Sequence, residues 1–251
     1  MLTTQRKQLI LQKLKNDGQI IAKNLSHQLH LSEDTIRRDL RELAHDGFLQ
    51  RVHGGALPAS PAVVNFAARE QLASKEKIAI GRAAAAMVQP GQVVILDGGT
   101  TTRELARHFP PNLRATVVTH SPTIAVELVE HPSIEVILIG GRLFKHSVVA
   151  IGATAIETIR QIHADIFFMG VTGIHPEAGL TTGDLEEAHI KRAFSAAAAD
   201  TIVLVSAEKL NAASPYVIAP VTEANAIIVS SAISEEATAP YLNLGITVTR
   251  A

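Results

Sequence analysis

Six short apolar runs spaced along residues 93–229 constrain the fold more than any other feature of this chain. They are Val93-Val94-Ile95-Leu96, Thr116-Val117-Val118-Thr119, Val136-Ile137-Leu138-Ile139, Ile166-Phe167-Phe168-Met169, Ile202-Val203-Leu204-Val205 and Ile227-Ile228-Val229. None alternates with polar residues, the pattern of strands buried on both faces. Helical stretches separate them. One covers Glu76–Val88 and ends at Pro90-Gly91; another opens on Ser121-Pro122, with Ser as N-cap and Pro at the first helical position. Strands alternating with helices predict βαβ units and a mostly parallel, Rossmann-like α/β sheet. The Ala83–Ala86 and Ala196–Ala199 runs read as helix interiors packed tightly on that sheet.

Ligands of such sheets bind beyond the carboxyl ends of the strands. The first end is Asp97-Gly98-Gly99-Thr100-Thr101-Thr102, running into a helix. Glycines let the backbone approach an anion, threonines add hydroxyl donors, and a helix N-terminus offers free N–H groups, so a phosphate suits this loop. The other ends are Thr119-His120-Ser121, then Gly140-Gly141-Arg142, then Gly170-Val171-Thr172-Gly173-Ile174 with the downstream Gly179–Glu187 stretch and Lys191, and last Ser206-Ala207-Glu208-Lys209. Arg142 could pair with a phosphate or a carboxylate. His120 reads as a loop histidine. The expected ligand site is Asp97, Gly98, Gly99, Thr100, Thr101, Thr102, Thr119, Gly140, Gly141, Arg142, Gly173, Glu187, Lys191 and Lys209.

The first 56 residues read differently. Leu9-Ile10-Leu11 and Leu14 mark a helix that ends near Asp17-Gly18, with Gly18 as a left-handed C-cap, and a second short helix spans about Lys23 to Leu29. Ser32 then caps a third helix in which Ile36, Leu40 and Leu43 form one apolar stripe, leaving Arg37, Arg38 and Arg41 off it. Gly47–Ala56 alternates and turns on two glycines, giving a two-stranded wing with Arg51 and His53 at its tip. Three helices and a basic wing make a winged helix-turn-helix, whose third helix would read the DNA major groove. Net charge is −1 overall, but residues 1–56 carry nine Lys/Arg against six Asp/Glu, and the remainder is acidic. The distribution, not the sum, fits a DNA-binding head on another domain.

Thr35-Ile36-Arg37-Arg38-Asp39-Leu40 and Arg51-Val52-His53-Gly54-Gly55-Ala56 resemble the N-terminal signature of DeoR-type bacterial transcriptional repressors. Ile21 and His30 depart from it, standing where relatives often place a polar N-cap and a Gly or Asn. Asp97-Gly98-Gly99-Thr100-Thr101, Gly140-Gly141, Gly179-Leu180-Thr181-Thr182 with Glu187-Ala188, and Lys209 resemble that family's C-terminal sensor domain, so the likeness spans nearly the whole chain. Gly98 stands where relatives often have serine. The resemblance implies a sensor fold akin to ribose-5-phosphate isomerase and the isomerase/CoA-transferase group, with phosphorylated sugars or related metabolites as effectors.

The domains expected are therefore a winged helix-turn-helix at 1–56, a linker at 57–74 marked by Leu57-Pro58-Ala59-Ser60-Pro61, and an effector-binding and oligomerisation domain at 75–251. Expected DNA contacts are Ser32, Thr35, Arg37, Arg38, Arg41, Arg51 and His53. Expected partners are operator DNA, a phosphorylated effector and further copies of the chain as a dimer or tetramer. The function implied is repression of a carbohydrate-metabolism operon. The rival is a working sugar-phosphate isomerase, with Asp184, Glu186 or Glu187 as base and Lys191 or Lys209 polarising a carbonyl. Against it, the stretch matching the isomerases' acidic loop, Gly170–Ile174, has no carboxylate, and Thr181-Thr182-Gly183 lacks their lysine. No catalysis is expected. With no cysteine and eleven scattered histidines, neither a metal site nor a cofactor is expected. No apolar run is long enough to span a membrane and the N-terminus lacks a secretory signal, so a cytoplasmic protein is expected.

Overall fold

The computed structural model describes residues 2–251. The head comprises α1 (Thr3–Asp17), β1 (Ile20–Ile21), α2 (Ala22–Leu29), α3 (Glu33–His45), β2 (Leu49–Val52) and β3 (Gly55–Pro58). Gly18 takes the left-handed conformation (φ 74°) and closes α1. Ser32 Oγ accepts from Thr35 N–H and starts α3. The wing has three strands rather than two, because Ile20–Ile21 pairs antiparallel with β3. That pairing needs glycine at position 55, where a Cβ would lie 1.7 Å from the Ile20 carbonyl oxygen. The head's core is Ile10, Leu14, Leu25, Ile36, Leu40, Leu43 and Leu49. Asp39, fully buried on α3, is gripped by the Arg6 guanidinium of α1, with Nη2 2.9 Å from Oδ1. Helix α3 is thereby fixed against α1 by a charged pair as well as by apolar packing.

Between head and body run a 3-10 turn (Pro61–Val63) and α4 (Phe66–Gln71). The body then contains α5 (Ser74–Ala85), β4 (Val93–Leu96), α6 (Thr100–Arg107), β5 (Ala115–Thr119), α7 (Pro122–Glu127), β6 (Ile134–Leu138), β7 (Arg142–Phe144), β8 (Val149–Ile151) and α8 (Ala153–Ile159). It continues with β9 (Ala164–Gly170), β10 (Gly173–His175), β11 (Gly179–Thr182), α9 (Leu185–Ala197), β12 (Ala198–Val205), β13 (Tyr216–Ala219), β14 (Ala226–Val229), α10 (Glu235–Asn243) and β15 (Thr247–Arg250). Seven of these strands form one sheet in the order β15-β14-β12-β9-β4-β5-β6, every pair parallel. One apolar layer lies on each face, the first around Ile95, Phe167 and Phe194 and the second around Leu96, Phe168 and Leu105. From β4 the chain winds outward to β6, then returns to place β9 on the other side of β4. The switch point of the sheet therefore lies between β4 and β9, where a ligand crevice is expected.

Three further local readings from sequence differ from the structure. Strand β6 is not buried on both faces: it is a sheet edge, with Ile137 and Leu138 exposed. Strand β15 was not anticipated, because Thr247-Val248-Thr249-Arg250 is polar and half-covered at the opposite edge. Ser121 occupies the N-cap of α7 but makes no capping bond; its hydroxyl faces Thr123 Oγ1 at 2.9 Å.

Asp39→Ala should destabilise the head by about 3 kcal/mol, because it strands the Arg6 charge. Circular-dichroism melting should show that loss. A double Arg6→Met/Asp39→Leu chain should recover most of it, since well-packed apolar replacements of a buried pair are close to neutral.

Candidate functional site

On α3, Ser32 and Thr35 are tied to each other, Oγ to Oγ1, at 2.9 Å. Arg37 pairs with Glu33 one turn earlier at 2.6 Å. Arg38 and Arg41 are exposed on the same helix, and Arg51 and His53 are exposed on the wing. All seven anticipated DNA-contact residues thus lie on the recognition helix or the wing. Arg51 and His53 also line a cleft of about 820 Å³ between the head and the body, opposite His175 and Glu177.

The second site sits at the β4/β9 switch point. Its wall is Gly98 and Gly99 from the β4–α6 loop, Thr100, Thr101 and Thr102 from the first turn of α6, Gly170, Val171 and Thr172 at and after the end of β9, Glu187 and Lys191 from α9, and Lys209 after β12. Ala62, Arg69 and Lys77, from the connecting segment and α5, close it. The cavity is small, about 20 Å³, room for about one water molecule.

Asp97 organises this wall without lining it. It is completely buried, and its carboxylate accepts from Lys191 Nζ, from Gly98 N–H at 2.8 Å and from Gly170 N–H at 2.8 Å, while His120 Nε2 lies 3.0 Å away. Burial alone would raise its pKa. The Lys191 charge and the His120 hydrogen bond outweigh that and bring it down to about 2. His120 Nδ1 donates to the Ala150 carbonyl at 2.8 Å, so this histidine is a buried strut.

Four cations surround the cavity. Burial pushes Lys209 down to about 8, against the pull of Glu208 and with help from Lys77, Arg69 and Lys191. Burial likewise lowers Lys77, whose Nζ donates to the Arg69 carbonyl at 2.6 Å. Arg69 is lowered by burial too, although Glu187 and Asp97 oppose the shift. Its Nε and Nη2 atoms are buried without a hydrogen-bond partner, as is Thr101 Oγ1 on the same wall. Unpartnered donors beside a cationic hollow suit an oxyanion.

The structure separates the anticipated effector residues into two sets. Gly98, Gly99, Thr100, Thr101, Thr102, Glu187, Lys191 and Lys209 converge on the cavity, held behind by Asp97. Thr119, Gly140, Gly141, Arg142 and Gly173 do not line it. Thr119 is buried and donates to Leu96 O at 2.7 Å. Arg142 is exposed, 3.9 Å from Glu186. Gly173 packs against Ala212, and Gly141 against Ile151. Arg69 and Lys77 were missed because they lie in, or just after, a segment whose prolines and small residues resemble a linker. The serine missing at position 98 has a local cause: a Cβ there would lie 2.1 Å from Val149 Cγ1. Among the described residues no group of histidines and carboxylates is arranged to hold a metal, and no helix is long and apolar enough to cross a membrane.

The DeoR-like helix-turn-helix domain matches residues 6–61, and the DeoR C terminal sensor domain matches residues 72–231. The HTH-type transcriptional regulator GlpR of Haloferax volcanii is 33% identical over 99% of this chain and 98% of its own. A putative aga operon transcriptional repressor of Escherichia coli O157:H7 is 31% identical over 98% of this chain and 93% of its own. Ribose 5-phosphate isomerase A of Methanocaldococcus jannaschii aligns over 54% of each chain at 17% identity, with a TM-score of 0.40.

Lys209 loses its proton as pH rises through about 8, so anion affinity should fall there. Sulfate keeps its double charge across this range and makes a clean probe. Its dissociation constant, by calorimetry on the full chain, should rise roughly fivefold between pH 8 and pH 9 if binding needs the charged lysine. Lys209→Gln should abolish that pH step.

Proposed function

The chain belongs to the DeoR family of DNA-binding transcriptional regulators, and from that premise we propose that it is a repressor of a carbohydrate-metabolism operon, controlled by a phosphorylated sugar or related metabolite bound in the body. The observation that carries the effector reading is the cavity itself. Arg69, Lys77, Lys191 and Lys209 converge on a strand switch point, beside a glycine-threonine loop that opens a helix. Lys191 is neutralised by Asp97, and Glu208 stands next to Lys209. The guanidinium of Arg69 has no hydrogen-bond partner of its own. A phosphate dianion would satisfy those donors and compensate the excess charge.

Operator contact is assigned to α3 and the wing. Thr35, Arg37 and Arg38 face the major groove in this reading; Arg41, Arg51 and His53 serve the backbone or minor groove. One small head buries too little surface for strong specificity, so two or more copies act together in the cytoplasm. The open β6 edge, with Ile137 and Leu138 exposed and Val126 and Val129 on and just after α7 nearly bare, favours pairing between copies. Effector binding then alters how the paired heads fit operator spacing. The names of the relatives are those of transcriptional regulators, not enzymes, and Asp97, the most central carboxylate, is fully committed to hydrogen bonds.

Three measurements test this. On operator fragments selected from the source genome, Arg38→Ala should weaken gel-shift affinity by about 1–3 kcal/mol if it reads a guanine, with binding to random DNA little changed. Unchanged operator affinity would remove Arg38 from the readout. Release of operator by a phosphorylated sugar should be lost in Lys209→Gln, and a full response in that chain would take Lys209 out of the site. Leu138→Lys should shift sedimentation toward a smaller species; an unshifted boundary would move the pairing surface elsewhere.

A further inference from the structure

The anion cavity is too small for a whole sugar phosphate, but it has a neighbour. A second cavity, of about 100 Å³, is lined by Ala62, Val63, Arg69, Phe144, His146, Ser147, Thr172, Gly183, Asp184 and Glu187. The two share Ala62, Arg69, Thr172 and Glu187. Arg69 therefore stands at the divide, with two unpartnered guanidinium nitrogens. On the inner side the orphan hydroxyl is Thr101 Oγ1; on the outer side it is Ser147 Oγ, buried and also without a partner. Ser147 sits in the turn between β7 and β8. The next residue, Val148, is held at φ 55°, a conformation that a β-branched residue rarely adopts and that costs on the order of the penalty seen at other strained functional positions.

Resting on the effector reading above, we propose that these two hollows are one ligand site that widens on binding, with the phosphate at the inner cavity and the polyhydroxylated carbon chain in the outer one. Arg69 bridges phosphate and sugar. Ser147, with the carboxylates of Asp184 and Glu187, reads the hydroxyls. Donor hydroxyl and acceptor carboxylates are the complement of a polyol, whose hydroxyls both give and accept hydrogen bonds. The chain's own arrangement explains why Arg69 and not another cation fills this role. It lies in the short stretch between residues 6–61 and 72–231, outside both matched domains. Lys77 Nζ holds its carbonyl, Phe66 N–H donates to the His146 carbonyl at 2.8 Å, and Arg103 pairs with Glu70 at 2.7 Å while lying over the Phe66 ring. The segment that joins head to body is thereby made a wall of the ligand site, and His146 and Ser147 are brought to it by the same contact.

The test uses the full chain and calorimetric titration with inorganic phosphate beside a set of phosphorylated three- to six-carbon sugars and polyols. Wild-type protein should bind inorganic phosphate, and at least one organic phosphate at least tenfold more tightly. Arg69→Gln should weaken both classes by about ten- to a hundredfold, as loss of charge-assisted bonds does. It should leave the melting temperature of the free protein unchanged or raised, because it removes a buried charge whose Nε and Nη2 make no hydrogen bond. Ser147→Ala should lower affinity for the preferred organic phosphate several-fold more than for inorganic phosphate. If Arg69→Gln binds inorganic phosphate as well as wild type does, Arg69 is not a ligand contact and the bridging role is overturned. If no organic phosphate surpasses inorganic phosphate, or Ser147→Ala weakens both equally, the outer cavity is not a sugar subsite while the anion site stands. If inorganic and organic phosphates all fail to bind wild-type protein, the effector reading itself fails and takes this proposal with it.

Discussion

The arrangement of the body turns on one carboxylate. Asp97 leaves the end of β4 and is satisfied by a side chain from α9, the backbone after β9 and the backbone of its own loop, with His120 from the end of β5 packed against it. A carboxylate in a dry interior is tolerable only when charge and hydrogen bonds compensate it fully. Here they do so well enough to bring its pKa down to about 2 in spite of complete burial. The consequence is geometric. Three strand ends and one helix cannot move independently without exposing an unpaired charge, so the glycine-threonine loop is presented in one position. The consequence is also electrostatic: by absorbing Lys191, Asp97 leaves the remaining cations short of a partner.

The head uses the same device at a smaller scale. Asp39 looks in sequence like one more charge on a solvated helix, yet it is the fully buried member of the Arg6 pair. An apolar stripe fixes the face of a helix but leaves some freedom to slide along the seam. A two-point contact between guanidinium and carboxylate removes that freedom. The register of α3, and hence which side chains reach a groove, is set by a residue that cannot itself touch DNA.

What could be read from sequence, and what could not, divides along the range of the interaction. Local physics was legible: the Gly18 C-cap, the Ser32 cap, the apolar strands and the glycine-rich strand ends lie within a few residues of their cause. The gathering of Gly98–Thr102 with Glu187, Lys191 and Lys209 was also within reach, since a parallel sheet brings its carboxyl ends together. Long-range choices were not. Arg142 follows a strand end like the others, but β6 is the edge, and its loop lies away from the switch point. Arg69 and Lys77 carry no motif; only the folding of residues 61–71 and the start of α5 over the crevice brings them to the cavity. The alternation that signals a half-buried edge was masked in β6 by apolar residues on both faces and in β15 by polar ones.

The connecting segment shows why this distinction matters for control. Leu57 and Pro58 still belong to strand β3 of the wing. The Pro58 carbonyl and Ser60 N–H pair with Ala213, at 3.1 and 3.3 Å, and Ser60 Oγ donates to the Thr172 carbonyl. Ala213 lies four residues beyond Lys209, and Thr172 lines the cavity. Ala62 and Arg69 then form the cavity's near wall. A flexible linker would dissipate a displacement at the ligand within a few residues. This segment has little slack to do so, because hydrogen bonds and packing anchor it at residues 58, 60, 66 and 69. Any rearrangement that opens the cavity by moving Ala62 or Arg69 must either break those contacts or be passed into β3. The distance from cavity to wing is thus covered not by a chain of side chains but by the covalent backbone of the same dozen residues.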